Sequence, residues 1–387
     1  MTVITCIDDL KRLHKRRTPK MFYDYAESGS YTEQTFRENT TDFAQIRLNQ
    51  KVAVDMTGRS TQGSLLGKSH AMPLALAPVG LTGMQRADGE IKAAKAAEKF
   101  GVPFTLSTMS ICSIEDVAEN TNAPFWFQIY TLTDDDYNRK VLERARAAGC
   151  SALVITVDLQ LLGQRHKDLK NGLTAPPKLT LPVMLDLATK WRWGLEMLGT
   201  KRRFFGNIVG HVESAADPSS LASWTAEKFD QALNWDRIKR LMDMWGGKVI
   251  LKGILSPEDA ELAAATGADA IIVSNHGGRQ LDGALSSIRV LPSIVSAVGD
   301  KTEVWLDSGI RSGQDVLKAL ALGAKGVMIG RAYIHGLGAM GEPGVTRALE
   351  VIQKELDISM ALTGEKRIED LGRHNLLIPN GFFDTYN

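Results

Sequence analysis

The sequence predicts an α/β fold of the TIM-type, a (β/α)8 barrel, and three observations carry that expectation. Eight short apolar runs recur from about residue 72 onward. Longer segments with helix start and stop signals separate them. The runs are continuously apolar rather than alternating, as strands covered on both faces are. Eight such units match this barrel in number and size. A doubly wound open sheet would place a glycine-rich turn after its first strand, and PVGLTGMQ (78–85) is a poor version of one.

Taken in order, residues 1–70 form an extension with one or more helices and an irregular region ahead of the repeat. The strand runs are PLALAPVG (73–80), PFTLST (103–108), FWFQIY (125–130) and ALVITVD (152–158), then KVILKG (248–253), AIIVSN (270–275), EVWLDSG (303–309) and GVMIG (326–330). Between them, DDDYNRKVLERARAAG (134–149) starts with acids and continues with basic residues, which suits the helix dipole. Ser256 and Pro257 open another helix, with Glu258 and Asp259 in its first turn and Gly267 at its end. Ser312 caps a third, in which Val316, Leu317, Leu320, Ala321 and Ala324 make one apolar stripe. Residues 159–235 greatly exceed an ordinary loop and form an insertion after the fourth strand, a lid or an interaction surface. The whole chain, 1–387, reads as a single barrel domain.

Composition narrows the function. The chain has 387 residues, 44% hydrophobic and 24% charged, with a net charge of +1, so no basic field invites nucleic acid. Cys6, Cys112 and Cys150 are too few and too scattered for a disulfide framework or a zinc site, and no metal is expected. MTVITCIDDLKRLHKRR lacks the apolar core of a signal peptide, and no run approaches the roughly 18 apolar residues of a spanning helix. The expectation is a cytoplasmic protein, with attachment to the inner face of the cell membrane left open.

The strand ends concentrate polar residues. They are Ser107; Gln128 and Tyr130; Thr156 and Asp158; Lys252; Ser274, His276 and Arg279; Asp307, Gly309 and Arg311; and Gly330 with Arg331. In a barrel these converge on the C-terminal mouth, where its active sites lie. DSGIRSGQD (307–315) and IGRA (329–332) pair glycines with arginines ahead of helix starts, a phosphate-site pattern. In VSNHGGRQLD (273–282), His276 is a candidate base with Asp158 to orient it, and Arg279 can grip a carboxylate. Lys252 fits either a Schiff-base lysine, as in an aldolase-type barrel, or a fixed cation beside an electron-accepting ring. A small hydroxy acid losing a proton to His276 needs an electron sink, and a phosphate-bearing cofactor supplies one.

These residues, with FYDYAESG (22–29) and the run LDSGIRSGQDVLKALALGAKGVMIGRA (306–332), resemble the FMN-dependent L-2-hydroxy acid dehydrogenases and oxidases from about residue 8 to 375. STMSICSIEDVA, VLERARAAGCSALVITVD and KGILSPEDA look most like the bacterial respiratory L-lactate dehydrogenase branch. The resemblance implies FMN, with His276 as base, Asp158 as its partner and Tyr130 on the substrate hydroxyl. It implies that Arg279, Tyr25 and Arg165 bind the substrate carboxylate, and that Lys252 stabilises charge on the reduced ring. Pro78, Val79 and Gly80 would face the ring, with Ser107, Gln128, Thr156 and Ser274 at its edge. Asp307 would hold the ribityl chain, and Gly309, Arg311, Gly330 and Arg331 the phosphate. Hydride and carbanion routes from the α-carbon both stay open.

Three departures stand out. Met109 replaces a large aromatic residue of glycolate oxidases in the pocket wall. Leu159-Gln160 replaces a common Thr-Pro before Arg165. Gly80 stands where oxidases tend to carry alanine, which favours transfer to a quinone or cytochrome over a hydroxy acid oxidase using oxygen. A homotetramer is implied as well. The segment LPVMLDLATKWRWGLEMLGTKRRFF (181–205) interleaves tryptophans, aliphatics and basic residues, and suits either an anionic membrane surface or a lid helix packed on the barrel.

Overall fold

The computed structural model describes residues 3–173, 180–209 and 228–384, so part of the insertion lies outside the described residues. The expected strands are all present: β1 (Leu74–Leu76), β2 (Thr105–Ser107), β3 (Trp126–Ile129), β4 (Ala152–Thr156), β5 (Lys248–Ile254), β6 (Ala270–Val273), β7 (Glu303–Leu306) and β8 (Gly326–Ile329). Neighbours in the chain pair in parallel from β2 through β8, and β8 pairs with β1. Leu76 bridges to Phe104 just before β2, with its N–H donating to Pro103 at 2.8 Å, and the barrel closes.

Alternation along the strands sorts the interior by height. The inward side chains begin apolar: Trp126, Val154, Ile250, Ile272, Trp305 and Met328 pack together, with Trp126 stacked on Trp305 at 5.4 Å. Two residues further along, the same strands or their C-terminal ends carry Gln128, Thr156, Lys252, Ser274, Asp307 and Gly330. The lower barrel is thus a packed core and the upper rim is polar. A hairpin of strands Gly63–Leu65 and Lys68–His70 plugs the lower end with Leu65, which packs among the interior side chains.

The expected helices form with their caps. Ser256 accepts from Asp259 N–H at the start of Pro257–Ala265, Ser312 from Asp315 N–H at Gly313–Ala321, and Asp134 from Tyr137 N–H at Asp135–Ala147. The N-terminal extension supplies helices Ile7–Arg17, Lys20–Ala26 and Gln34–Gln45. The last is capped from a distance: Asp282, in the turn after β6, accepts the N–H groups of Thr32 and Thr35 at 2.9 and 3.0 Å. This ties the extension to the upper rim, where it completes the site.

Candidate active site

The rim encloses a cavity of about 690 Å³. Its lining includes Tyr25, Pro78, Val79, Gly80, Met109, Tyr130, Arg165, Lys252, His276, Arg279, Asp307, Gly309, Arg311, Gly330 and Arg331. The structure therefore gathers most of the expected residues at one place. Ser107, Gln128, Thr156 and Ser274 are buried beside this lining, Thr156 in register with Lys252 and Ser274 Oγ 2.9 Å from Lys252 Nζ. Gln128 Oε1 accepts from Ser107 Oγ at 2.9 Å and Gln128 Nε2 donates to Thr156 Oγ1 at 3.0 Å, a ladder across β2, β3 and β4.

The turn after β6 answers to its sequence. His276, Gly277 and Gly278 have φ of 57°, 67° and 72°, three left-handed residues in succession. A Cβ on residue 277 would lie 2.5 Å from Arg331 Nη1, and one on residue 278 would lie 2.5 Å from Phe36 N. Two glycines let the turn pass between the cofactor-side arginine and the N-terminal helix. His276 has no such freedom and sits at a cost of roughly 1–2 kcal/mol. Neighbouring Asn275 sets the turn by exchanging two amide hydrogen bonds with Asn39, at 2.7 and 2.8 Å, and accepting Gly278 N–H at 3.0 Å.

His276 Nδ1 lies 2.9 Å from Asp158 Oδ1, and its Nε2 lies 3.4 Å from the Tyr130 hydroxyl. The carboxylate fixes the proton on Nδ1 and leaves the Nε2 lone pair facing Tyr130. Burial lowers the His276 pKa, against the opposing pull of Asp158, so the imidazole is neutral and able to accept a proton. Burial works against the Asp158 carboxylate, but His276 and Lys252 more than offset it and its pKa is lowered. Room for Asp158 comes from Gly253, where a Cβ would lie 2.6 Å from Asp158 Cγ. It follows that kcat/KM should hold through neutral pH and fall only below the ordinary imidazole value of 6.5. In Asp158→Asn the supporting charge is gone, so the acid limb moves to still lower pH while the plateau drops about 100-fold. A pH profile of both proteins checks this, and an unmoved limb contradicts the pairing.

Opposite the histidine are two guanidiniums. Arg279 Nη1 donates to the Tyr25 and Ser28 carbonyls at 2.5 and 3.2 Å, and its guanidinium stacks 4.7 Å from the Tyr25 ring centre. Arg165 is largely withdrawn from solvent, reaches Asp168 only at 3.9 Å, and its Nε has no hydrogen-bond partner among the described residues. Burial, then the nearby Arg279 charge, lowers its pKa to about 10, so it stays cationic at neutral pH. Two half-buried cations, one with an N–H unsatisfied among the described residues, suit a carboxylate.

Lys252 Nζ sits 2.9 Å from Asp307 Oδ2 and 2.9 Å from Ser274 Oγ. Burial opposes its charge, but Asp307 and Asp158 prevail and the pKa is raised. A Schiff-base lysine needs the opposite shift. The aldolase-type expectation therefore fails on electrostatics.

The phosphate-site residues fit the cofactor that the resemblance implies. Arg311 and Arg331 are half-buried cations whose pKa values burial lowers, the latter to about 9, and among the described residues no carboxylate is hydrogen-bonded to either guanidinium. Gly330 caps helix Arg331–Met340, and a Cβ there would meet only Val79, at 3.7 Å. The space beside this helix N-terminus is open to a phosphate rather than filled by protein.

Sequence reasoning passed over Glu90. This buried carboxylate accepts the N–H groups of Gly83, Ile111 and Cys112, joining the loop after β1 to the loop after β2 that carries Met109. A glutamate early in an amphipathic helix gives no sequence signal of that role.

Residues 14–378 match the family described as FMN-dependent dehydrogenase. The chain is 44% identical to the L-lactate dehydrogenase of Caulobacter vibrioides (strain NA1000 / CB15N) over 370 residues, 95% of this chain and 96% of that protein. It is equally identical over 377 residues to an L-lactate dehydrogenase of Actinobacillus pleuropneumoniae serotype 5b (strain L20), covering 97% of this chain and 98% of the relative. Among solved structures it is similar to the monotopic membrane protein (S)-mandelate dehydrogenase, with a TM-score of 0.93, 37% identity, and coverage of 98% and 100%. The chain belongs to the FMN-dependent dehydrogenases, and FMN is its cofactor.

Proposed function

We propose that the protein oxidises an L-2-hydroxy acid, L-lactate, to its 2-oxo acid, and that the chemistry takes place in the cavity above β5 to β8. One observation carries the reading: a neutral, carboxylate-oriented imidazole shares that cavity with Arg165, whose buried Nε lacks a partner among the described residues. When bound, FMN would supply the acceptor for the α-hydrogen together with the two electrons. His276 Nε2 takes the hydroxyl proton, and Asp158 stabilises the imidazolium that results. Burial raises the Tyr130 pKa, so its hydroxyl keeps a proton with which to orient the substrate oxygen. Arg279 and Arg165 hold the carboxylate, with the Tyr25 ring against Arg279. L-lactate is the substrate named for the curated relatives. A larger side chain is a second reading, favoured by the apolar wall of Leu81, Met109, Leu159, Phe205 and Phe229 and by the (S)-mandelate dehydrogenase likeness. Anaerobic addition of L-lactate, D-lactate or (S)-mandelate to the flavin-loaded protein tests both. Bleaching of the flavin absorbance by L-lactate but not D-lactate supports the first reading; bleaching by none of them refutes the function.

The electron acceptor in this reading is a quinone or cytochrome, the protein is a homotetramer, and it lies on a membrane surface. No helix among the described residues is long and apolar enough to cross a membrane. The helices Leu181–Thr189 and Trp191–Gly199 are two-sided instead. One side packs down: Trp193 Nε1 donates to the Met84 carbonyl at 2.9 Å, Phe22 lies against Trp193, and Arg86 pairs with Glu196. The other exposes Leu181, Leu185, Trp191, Leu195 and Leu198, each at least 59% accessible, with the exposed Arg192 and Lys201 close by in sequence. An apolar strip with basic neighbours suits the interface of an anionic bilayer. Wild-type protein should sediment with vesicles containing anionic lipid, and Leu181→Ser/Leu185→Ser/Leu198→Ser should remain in solution with its kcat for a soluble dye unchanged. Equal sedimentation of both proteins removes the membrane proposal.

A further inference from the structure

Behind the cavity, on the far side of the phosphate-site arginines, lies a buried chain of polar groups that the proposed chemistry does not use. His14, on helix Ile7–Arg17, and His335, on helix Arg331–Met340, are both fully buried, with Nδ1 facing Nδ1 at 3.1 Å. His14 Nε2 lies 2.9 Å from Gln85 Oε1, while Gln85 Nε2 donates to the Phe22 carbonyl at 2.9 Å. That carbonyl can only accept, so the Gln85 oxygen must face His14, and His14 Nε2 carries a hydrogen. Burial drives the His14 pKa down to about 3, so the ring is neutral and its Nδ1 accepts. His335 Nδ1 is then the donor. Its Nε2 faces Glu27 Oε2 at 3.2 Å, where a lone pair against a carboxylate oxygen would repel. A second proton on His335 would turn this contact into an ion pair; burial, the larger influence, opposes that proton and lowers the pKa, while Glu27 favours it. Lys11 Nζ bonds the other carboxylate oxygen.

Glu27 sits in the middle of the turn that carries the site's cations. The Tyr25 carbonyl accepts Arg279 Nη1 at 2.5 Å. The Ala26 carbonyl accepts Arg331 Nε at 2.8 Å. The Ser28 carbonyl accepts Arg331 Nη2 at 2.8 Å and Arg279 Nη1 at 3.2 Å. One stretch of four residues thus aims both the substrate-side and the cofactor-side guanidinium. Its own side-chain anchor is Glu27, pinned by one helix from the N-terminal extension and one from the last barrel unit. The charged and titratable groups around it are His14, His335, Lys11, Tyr23, Arg311 and Arg331, and the cations among them keep its carboxyl well below the usual range in spite of burial.

We propose that Glu27 is a positioning residue for both ligands: its clasp on His335 and Lys11 fixes the Tyr25–Ser28 turn, and through the carbonyls of that turn it sets Arg279 toward the substrate carboxylate and Arg331 toward the FMN phosphate. The inference rests on the proposed oxidation for its substrate half only. Neither Glu27 nor His335 lines the cavity, so the effect belongs to binding rather than to the chemical step.

Glu27→Gln keeps the shape and removes the charge. The expected result is a rise of about ten- to hundredfold in both the FMN dissociation constant and the KM for L-lactate, as for loss of a bond to a charged group. With both ligands saturating, kcat should stay within about threefold of wild type, as binding-only losses do. FMN affinity is read by quenching of flavin fluorescence on titrating FMN with flavin-stripped protein, which needs no turnover. Unchanged FMN affinity and KM in a folded Glu27→Gln protein overturn the proposal. So does a drop in thermal stability alone, which is what a purely structural clasp predicts. If that variant does not fold, Lys11→Met releases one arm of the clasp from a partly exposed side chain. A rise of about threefold in both constants then supports the proposal, and unchanged constants overturn it. Should the wild-type protein oxidise no hydroxy acid, the functional reading fails while the fluorescence titration still decides the role of Glu27 toward FMN.

Discussion

His276→Gln lowers the anaerobic rate of flavin bleaching by about 10²–10⁴-fold while flavin stays bound. Glutamine fills similar space and can still donate a hydrogen bond toward Asp158, but it offers no lone pair that takes a proton at neutral pH. The Nε2 facing Tyr130 at 3.4 Å is the basic atom positioned for the substrate hydroxyl. The loss should appear in kcat and in kcat/KM together, since the interaction matters most as the proton moves. Stopped-flow bleaching by L-lactate is the measurement, and wild-type rates in flavin-loaded His276→Gln would remove the histidine from the mechanism.

Lys252→Met comes next in expected size and differs in kind. It takes the ammonium away from Asp307 and Ser274, each at 2.9 Å, and leaves a buried carboxylate with Ser308 Oγ as its remaining side-chain partner. Stranding one half of a buried pair costs about 3–5 kcal/mol of stability. The raised pKa of Lys252 makes it a permanent cation in the cavity wall, available to offset negative charge as electrons arrive. The expected outcome is a lower melting temperature, retained but weakened flavin binding, and turnover reduced by at least about 100-fold. Measuring melting and bleaching on the same preparation separates the two losses. A variant that melts early yet turns over normally would reduce Lys252 to a structural partner of Asp307.

The barrel was legible because its signals are local. Each strand is an apolar run ending in a polar residue or glycine, and Ser256, Ser312 and Asp134 cap their helices through residues three positions away. The rim residues were legible for the same reason, since a strand end projects its residue to the mouth without help from elsewhere. Ser107, Gln128 and Thr156 were legible as polar strand ends but not as a ladder, because its hydrogen bonds join three separate strands. Tyr25 came only through a family resemblance, as its helix reaches the cavity by packing across the barrel. The amide pair of Asn39 and Asn275 spans 236 residues, and the histidine pair 321. Nothing at either end of such a contact marks its partner. Gly253 looks like an ordinary strand-end glycine until the Asp158 side chain is seen against it.

The carbonyls of Ala26 and Ser28 hold Arg331, so the phosphate cradle joins the first helices of the chain to the last strand of the barrel. During synthesis, an emerging polypeptide has no completed pocket until more than 300 residues have left the ribosome and the two ends have met. A flavin phosphate held there can therefore be gripped only after the N-terminal extension has packed on the last barrel unit, and its binding stabilises that junction.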